Sequence, residues 1–150
     1  MIEFHSVDEK MTELLASRVA KLAQTGDVFA LFGTLGMGKS VFARAFIQEL
    51  TGAEDVPSPT FTLLQTYEAA NFDIYHYDLY RLKSAEEIFE LNMEEAIYTG
   101  VSLIEWPEKM GAYLPRNCFK ITIRPDENGR KIILDCADES RLSRFQSLKA

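Results

Sequence analysis

Positive charge is in short supply in this chain. Sixteen Lys and Arg stand against 23 Asp and Glu, a formal net charge of −7, and no run of five or more basic residues relieves the balance. Sequence-independent binding of DNA or RNA draws mainly on Lys and Arg neutralising phosphates. Strong direct nucleic-acid binding by this chain alone is therefore not expected, and a role near nucleic acid requires a partner that supplies the positive surface. Long apolar runs are missing too. No stretch approaches the roughly 18–20 residues of a membrane span, and Met1-Ile2-Glu3-Phe4-His5 lacks a signal-peptide layout. Cysteine is scarce: Cys118 and Cys136 have no metal-ligand spacing and no nearby His. They could bridge two strands, but free, packed thiols are the expectation in a reducing cytoplasm. There is no internal repeat, linker or low-complexity segment. What is present, 150 residues with 47% apolar and 26% charged side chains, fits one domain with an enclosed core. A cytoplasmic enzyme or switch is the default expectation.

The most informative stretch is Gly33-Thr34-Leu35-Gly36-Met37-Gly38-Lys39-Ser40. It satisfies the pattern G-x-x-x-x-G-K-[ST] at every fixed position. Val28-Phe29-Ala30-Leu31-Phe32 before it reads as a buried strand. Val41 to Leu50 after it, with Phe42, Phe46 and Leu50 four apart, reads as an amphipathic helix. Glycines at these positions let backbone N–H groups turn inward around phosphate oxygens. The helix beginning near Gly38 aims its positive dipole end at the anion. Lys39 can reach the β- and γ-phosphates, and Ser40 offers a hydroxyl to Mg²⁺.

The remaining segments follow in order. Met1 to Ser6 predicts a short edge strand. Met11, Leu14, Leu15, Val19 and Leu22 follow helical spacing, with Ser6 or Asp8 as cap and Gly26 as stop. Glu9 lies in that helix's first turn, where a carboxylate suits the dipole; nucleotide contact is the alternative. Pro57 and Pro59 make Val56 to Thr62 a stiff surface loop. Thr60 in it is either a γ-phosphate sensor acting through Mg²⁺ or an ordinary Ser/Thr-Pro turn residue, and position leaves both open. Phe61–Tyr67 and Phe72–Tyr80 predict a hairpin, with Ile74, His76, Asp78 and Tyr80 on one face. Asp78 could hold a metal-bound water, act as a base or pair with Arg81, the ion pair being the commoner fate of such a residue. His76 reads as a hydrogen-bonded structural histidine. Ser84-Ala85-Glu86-Glu87 opens a capped helix, and Asn92 a second short one over Glu94 to Tyr98.

Val101-Ser102-Leu103-Ile104-Glu105 is a second buried strand with an acid at its end. In a parallel sheet the strand ends face the ligand crevice, so Glu105 is expected beside Ser40, binding Mg²⁺ directly or through water. Glu108 competes but lies beyond Pro107. Trp106 is core, a nucleotide neighbour or a docking residue. Phe119–Arg124 and Lys131–Cys136 form a hairpin across Asn128-Gly129. Arg130 beside that turn is either solvated or a nucleotide contact. Leu142, Phe145 and Leu148 predict a short terminal helix.

GTLGMGKS, VPSPTFTLLQTY, HYDLYRL and LIEWPE, in that order and spacing, resemble the TsaE (formerly YjeE) family of bacterial tRNA threonylcarbamoyladenosine biosynthesis, from about Asp8 to about Arg130. The chain departs from the family's usual motif at Thr34, where an acid is common, at Met37, where a small Ala is common, and at Ser40, which replaces threonine but keeps the hydroxyl. The resemblance implies an α/β phosphate-loop fold of three layers, with a central mixed sheet and antiparallel hairpins at its edge. It implies a cytoplasmic ATPase joining TsaD-like and TsaB-like proteins to place threonylcarbamoyl on adenosine 37 of tRNAs reading codons that begin with A. By the same resemblance ATP and Mg²⁺ are the cofactors, Gly33, Leu35, Gly36, Met37, Gly38, Lys39, Ser40 and Val41 surround the phosphates, and Ser40 and Glu105 bind the metal. Thr60 belongs to a switch-like loop, Asp78 serves hydrolysis or coupling, and Trp106, Glu9 and Arg130 neighbour the nucleotide. Phosphate-loop ATPases commonly lack a catalytic piece until a partner completes the site, so hydrolysis is expected to be slow alone. Arg44, Arg81 and Arg130 are the arginines available in cis. A small-molecule kinase, short of lid arginines here, and a nucleotide-gated binding module without hydrolysis are the other classes considered.

Overall fold

The strand that leads into the glycine-rich motif, β2 (Val28–Phe32), is apolar on both faces and occupies the centre of a seven-stranded sheet. The computed structural model describes residues 1–34, 38–59 and 62–149. Its other strands are β1 (Ile2–Ser6), β3 (Leu64–Glu68), β4 (Asp73–Asp78), β5 (Gly100–Glu105), β6 (Phe119–Asp126) and β7 (Gly129–Cys136). They lie in the order β1-β7-β6-β2-β5-β4-β3. The inner strands β6, β2, β5 and β4 run parallel, while β3–β4, β6–β7 and β1–β7 pair antiparallel. This is the mixed sheet with edge hairpins that the sequence predicts.

Alternation along β2 divides the core in two. Phe29 and Leu31 join Leu15, Val19, Phe42, Phe46 and Leu142 on one side, contributed by α1 (Glu9–Leu22), α2 (Lys39–Thr51) and α4 (Glu139–Ser143). Val28 and Ala30 join Ile88, Met93, Ala96 and Met110 on the other, contributed by the 3₁₀ segments Ala85–Leu91 and Pro107–Tyr113 and by α3 (Met93–Thr99). Three layers result.

Several local expectations shift. Asp8 caps α1, its Oδ1 accepting from the Met11 N–H at 2.9 Å, while Ser6 Oγ bonds Thr12 Oγ1 at 2.7 Å instead. Met11 and Leu14 are exposed, at 43% and 55%. The buried stripe is Thr12, Leu15, Ala16, Val19 and Ala20, because small residues let α1 settle closely against Ala43 and Phe46 of α2. Phe61, where the strand is expected to start, lies outside the described residues; β3 begins at Leu64, next to Leu63, whose positive φ of 66° breaks extended structure. The Ser84–Glu87 capping box forms but opens a 3₁₀ segment, and Asn92 is a left-handed joint without a side-chain cap. Glu127 and Asn128 make the β6–β7 turn, and Gly129 already belongs to β7. The terminal helix divides into α4 and a 3₁₀ turn, Gln146–Leu148. Cys118 and Cys136 are free and buried.

Arg144, after α4, closes the base of the sheet. Its guanidinium grips Asp27 in a fork, Nη1 to Oδ2 at 2.5 Å and Nη2 to Oδ1 at 3.2 Å, and Asp27 is only 1% exposed. Removing one partner of a buried pair leaves the other charge desolvated and uncompensated, at a cost of about 3 kcal/mol. Arg144→Ala is accordingly expected to lose about that much stability in urea unfolding; a loss under about 0.5 kcal/mol, the scale of an ordinary surface change, would contradict this role.

Candidate active site

Three parallel strands end together at one rim. Leu31 of β2 lies opposite Glu105 of β5, and Glu105 lies opposite Asp78 of β4. α2 starts at that rim because Gly38, at φ 101°, turns the chain in a left-handed conformation that glycine adopts freely. The first turn of α2 therefore faces the end of β5. Ser40 Oγ donates to Glu105 Oε1 at 3.2 Å, and Glu105 Oε2 lies 2.7 Å from His76 Nε2. Asp78 is buried, with Oδ1 accepting from the Tyr80 N–H at 3.1 Å.

Lys39 is 5% exposed, and its ammonium has no hydrogen-bond partner among the described residues. It rests 3.7 Å from the ring centroid of Trp106, whose ring also meets Tyr80 at 5.0 Å. Trp106 holds a left-handed φ of 58°, costly for a bulky residue. Burial lowers the Lys39 pKa, against the opposing pull of Glu105, Glu108 and Asp78. A buried ammonium short of partners, at the start of a helix, is suited to an incoming anion. Trp106 thus packs against the second core cluster with its ring facing the Lys39 ammonium.

A cavity of about 200 Å³ opens beside Gly38 and is lined by Glu9, Val41, Gly129 and Arg130 together with Ser6 and Asp8. Two residues left with bland alternatives, Glu9 and Arg130, thus share one hollow with the start of α2. Gly129 is required there by close approach: an added Cβ would stand 2.1 Å from the Ser6 carbonyl oxygen. Gly33 lies at the end of β2 with φ 148°. Leu35, Gly36, Met37 and Thr60 lie outside the described residues. Val56, Pro57 and Ser58, on the loop leading to Thr60, line a pocket of about 20 Å³ with Ser40, Arg44, His76 and Glu105.

That pocket provides the test of fit for Mg²⁺. The donors meeting there, a serine hydroxyl and a carboxylate, are the hard oxygens that Mg²⁺ prefers. The volume suits one small ion or water, above the ~10–15 Å³ a water needs. Among the described residues no group of three His, Cys, Asp or Glu side chains could hold a metal alone. The arrangement therefore fits a cation delivered with phosphates, since Mg²⁺ is usually bound through one or two carboxylates plus substrate oxygens. His76, read from sequence as merely structural, is the site residue that sequence reasoning missed; its sharing of a face with Asp78 was the available signal.

The described residues define an α/β protein with a mixed sheet, in which Lys39 and Ser40 open α2 across from Glu105, the acid that ends the neighbouring parallel strand. The family is equally plain. The model described as "Threonylcarbamoyl adenosine biosynthesis protein TsaE" matches residues 6–132, and the chain belongs to the TsaE family, which acts in tRNA threonylcarbamoyladenosine biosynthesis. The tRNA threonylcarbamoyladenosine biosynthesis protein TsaE of Rickettsia felis is 42% identical over 144 residues, covering 93% of this chain and 84% of that protein. Its Bacillus subtilis namesake is 33% identical over 124 residues, covering 82% and 77%. The crystal structure of Bacillus subtilis YdiB superposes with a TM-score of 0.79 at 28% identity, covering 98% of this chain and 93% of that one.

The buried ammonium sets stability against binding. Lys39→Met removes a charge whose desolvation outweighs the attraction of its neighbours, and is expected to raise the melting point of the nucleotide-free protein by the equivalent of about 1 kcal/mol. Because the folded pKa lies below the ordinary lysine value of 10.5, the unfolded chain binds more protons in the interval between the two. Stability of the unsubstituted protein then rises with pH there, so the gap between the two proteins should narrow as pH approaches 10.5. Melting curves in that range check this; a gap that widens with pH would contradict it.

Proposed function

We propose that this chain is the ATP-binding and ATP-hydrolysing subunit of the assembly that forms N6-threonylcarbamoyladenosine at position 37 of tRNAs reading codons beginning with A. The observation that carries the reading is the Ser40–Glu105 contact of 3.2 Å at the mouth of the glycine-rich motif. Lys39, now over the face of Trp106, would bind the β- and γ-phosphates, aided by the N–H groups at the start of α2. Ser40 and Glu105 would hold Mg²⁺, whose charge would offset that of the phosphates. The cavity of about 200 Å³ beside Gly38 takes the rest of the nucleotide. Glu9 there can accept from nucleotide hydroxyl or amine groups, and Arg130 can pair with phosphate or stack on a base. Asp78, opposite Glu105 and close enough to act on Lys39, serves hydrolysis or its coupling to partners. Thr60 is assigned to the switch-like loop.

The charge balance of 23 acidic to 16 basic residues suits protein partners rather than direct tRNA binding. TsaD-like and TsaB-like proteins in the cytoplasm would hold the tRNA, and ATP hydrolysis would drive turnover or remodelling of the assembly rather than the transfer itself. No helix among the described residues is long and apolar enough to cross a membrane.

ATP turnover measured alone, then with the TsaD-like and TsaB-like proteins and tRNA, tests the reading. Hydrolysis is expected to be slow alone and to rise at least about tenfold in the assembly, within the range that a completing partner can supply. Glu105→Ala and Ser40→Ala should each lower assembly-stimulated turnover by about 10²-fold, the scale of losing one charge-stabilising group. Equal rates with and without partners would overturn the partner-dependent mechanism. Phosphate transferred to a metabolite instead of water would favour a kinase.

A further inference from the structure

We infer that His76 is a positioning residue that limits Glu105 to one-oxygen coordination and thereby selects a small, octahedral divalent cation; the inference rests on the nucleotide-hydrolysing reading above. The two side chains meet diagonally across neighbouring parallel strands. His76 pairs in register with Leu103, so Glu105 lies two residues further on the same sheet face. Both side chains are only 4% exposed.

A carboxylate oxygen only accepts hydrogen bonds. The 2.7 Å contact therefore puts the imidazole proton on Nε2, donated to Glu105 Oε2. The other ring nitrogen, Nδ1, is buried and has no hydrogen-bond partner among the described residues. A histidine kept only for packing would pay the cost of that nitrogen for nothing, since an apolar residue could fill the same space. Among the described residues the one hydrogen bond its ring makes is to the carboxylate.

That contact divides the carboxylate. Oε2 belongs to His76 and Oε1 faces Ser40. When the Ser40 hydroxyl turns to a cation, Oε1 is released while Oε2 stays held. Glu105 then presents a single oxygen. Mg²⁺ and Mn²⁺, compact and octahedral, are served by one carboxylate oxygen, whereas Ca²⁺ commonly takes carboxylates in bidentate fashion and tolerates looser geometry.

Two substitutions separate positioning from packing. His76→Gln keeps an N–H at nearly the reach of Nε2, and His76→Leu keeps bulk but donates nothing. Binding of a fluorescent ATP analogue is titrated with Mg²⁺ and with Ca²⁺, and once in EDTA, with melting curves to establish that each variant is folded. For His76→Leu, half-saturation by Mg²⁺ should rise about 10–100-fold, as is typical when a partner of a metal ligand is lost. The preference for Mg²⁺ over Ca²⁺ should fall, and affinity in EDTA should stay within about twofold. His76→Gln should remain within about threefold of the unsubstituted protein in Mg²⁺. Should His76→Leu be unstable, His76→Asn, too short to reach Glu105, takes its place. Unchanged Mg²⁺ half-saturation and selectivity in the Leu or Asn variant would overturn the inference, as would a glutamine variant that is folded yet impaired as severely as leucine. If the unsubstituted protein binds no nucleotide under any condition, the underlying reading fails instead, and the two failures are distinct.

Discussion

The pairing of β2 with β5 sets Leu31 against Glu105, and the chemistry at the rim depends on that register. β2 ends at Phe32 just before the glycine-rich motif and α2 begins at Lys39 just after it; β5 ends in an acid. Because the strands are parallel, both endings reach the same side of the sheet, and a hydroxyl and a carboxylate 65 positions apart in sequence come within 3.2 Å. A shift of one residue in that pairing would turn Glu105 to the opposite face. The large apolar residues inside, with Phe29 stacked on Phe119 and Phe145 set edge-on against Phe119, are what make such a shift expensive.

The rim itself is built from groups that a stability-driven core would avoid. Lys39 is buried without a hydrogen-bond partner among the described residues, the His76 Nδ1 likewise, and Trp106 occupies a left-handed conformation. Each is costly in isolation, and they converge on the end of β5. Such concentration is what a site waiting for an anion and a cation should look like, and membership of the TsaE family supplies the context of tRNA modification in which a nucleotide site of this kind would act. The surface fits the same context through its sign: an acidic chain is well placed to meet a basic partner and poorly placed to hold tRNA unaided.

What was legible in the sequence was local or periodic. The strand before Gly33, the helix that Lys39 and Ser40 open, the acid closing an inner strand and the two hairpins all announce themselves through spacing and turn chemistry, and the structure has them. What was not legible depends on contacts distant in sequence. Met11 and Leu14 share the helical period with Leu15 and Val19, and only the close packing of α1 on α2 decides that the former face out. The Arg144–Asp27 fork joins residues 117 positions apart. Gly129 reads as a turn glycine, whereas its missing Cβ is needed where β7 passes the Ser6 carbonyl. His76 looked bland because nothing in its own neighbourhood shows that the carboxylate of another strand will lie beside its ring.

The central claim is that one divalent cation is shared by Ser40 and Glu105. Crystals grown with Mn²⁺ and a non-hydrolysable ATP analogue, measured for anomalous scattering, address it most directly. The account predicts a single strong manganese peak bonded to Ser40 Oγ and reached by the Glu105 carboxylate directly or through one water. A manganese peak on the nucleotide phosphates with neither side chain within one water of it would contradict the account.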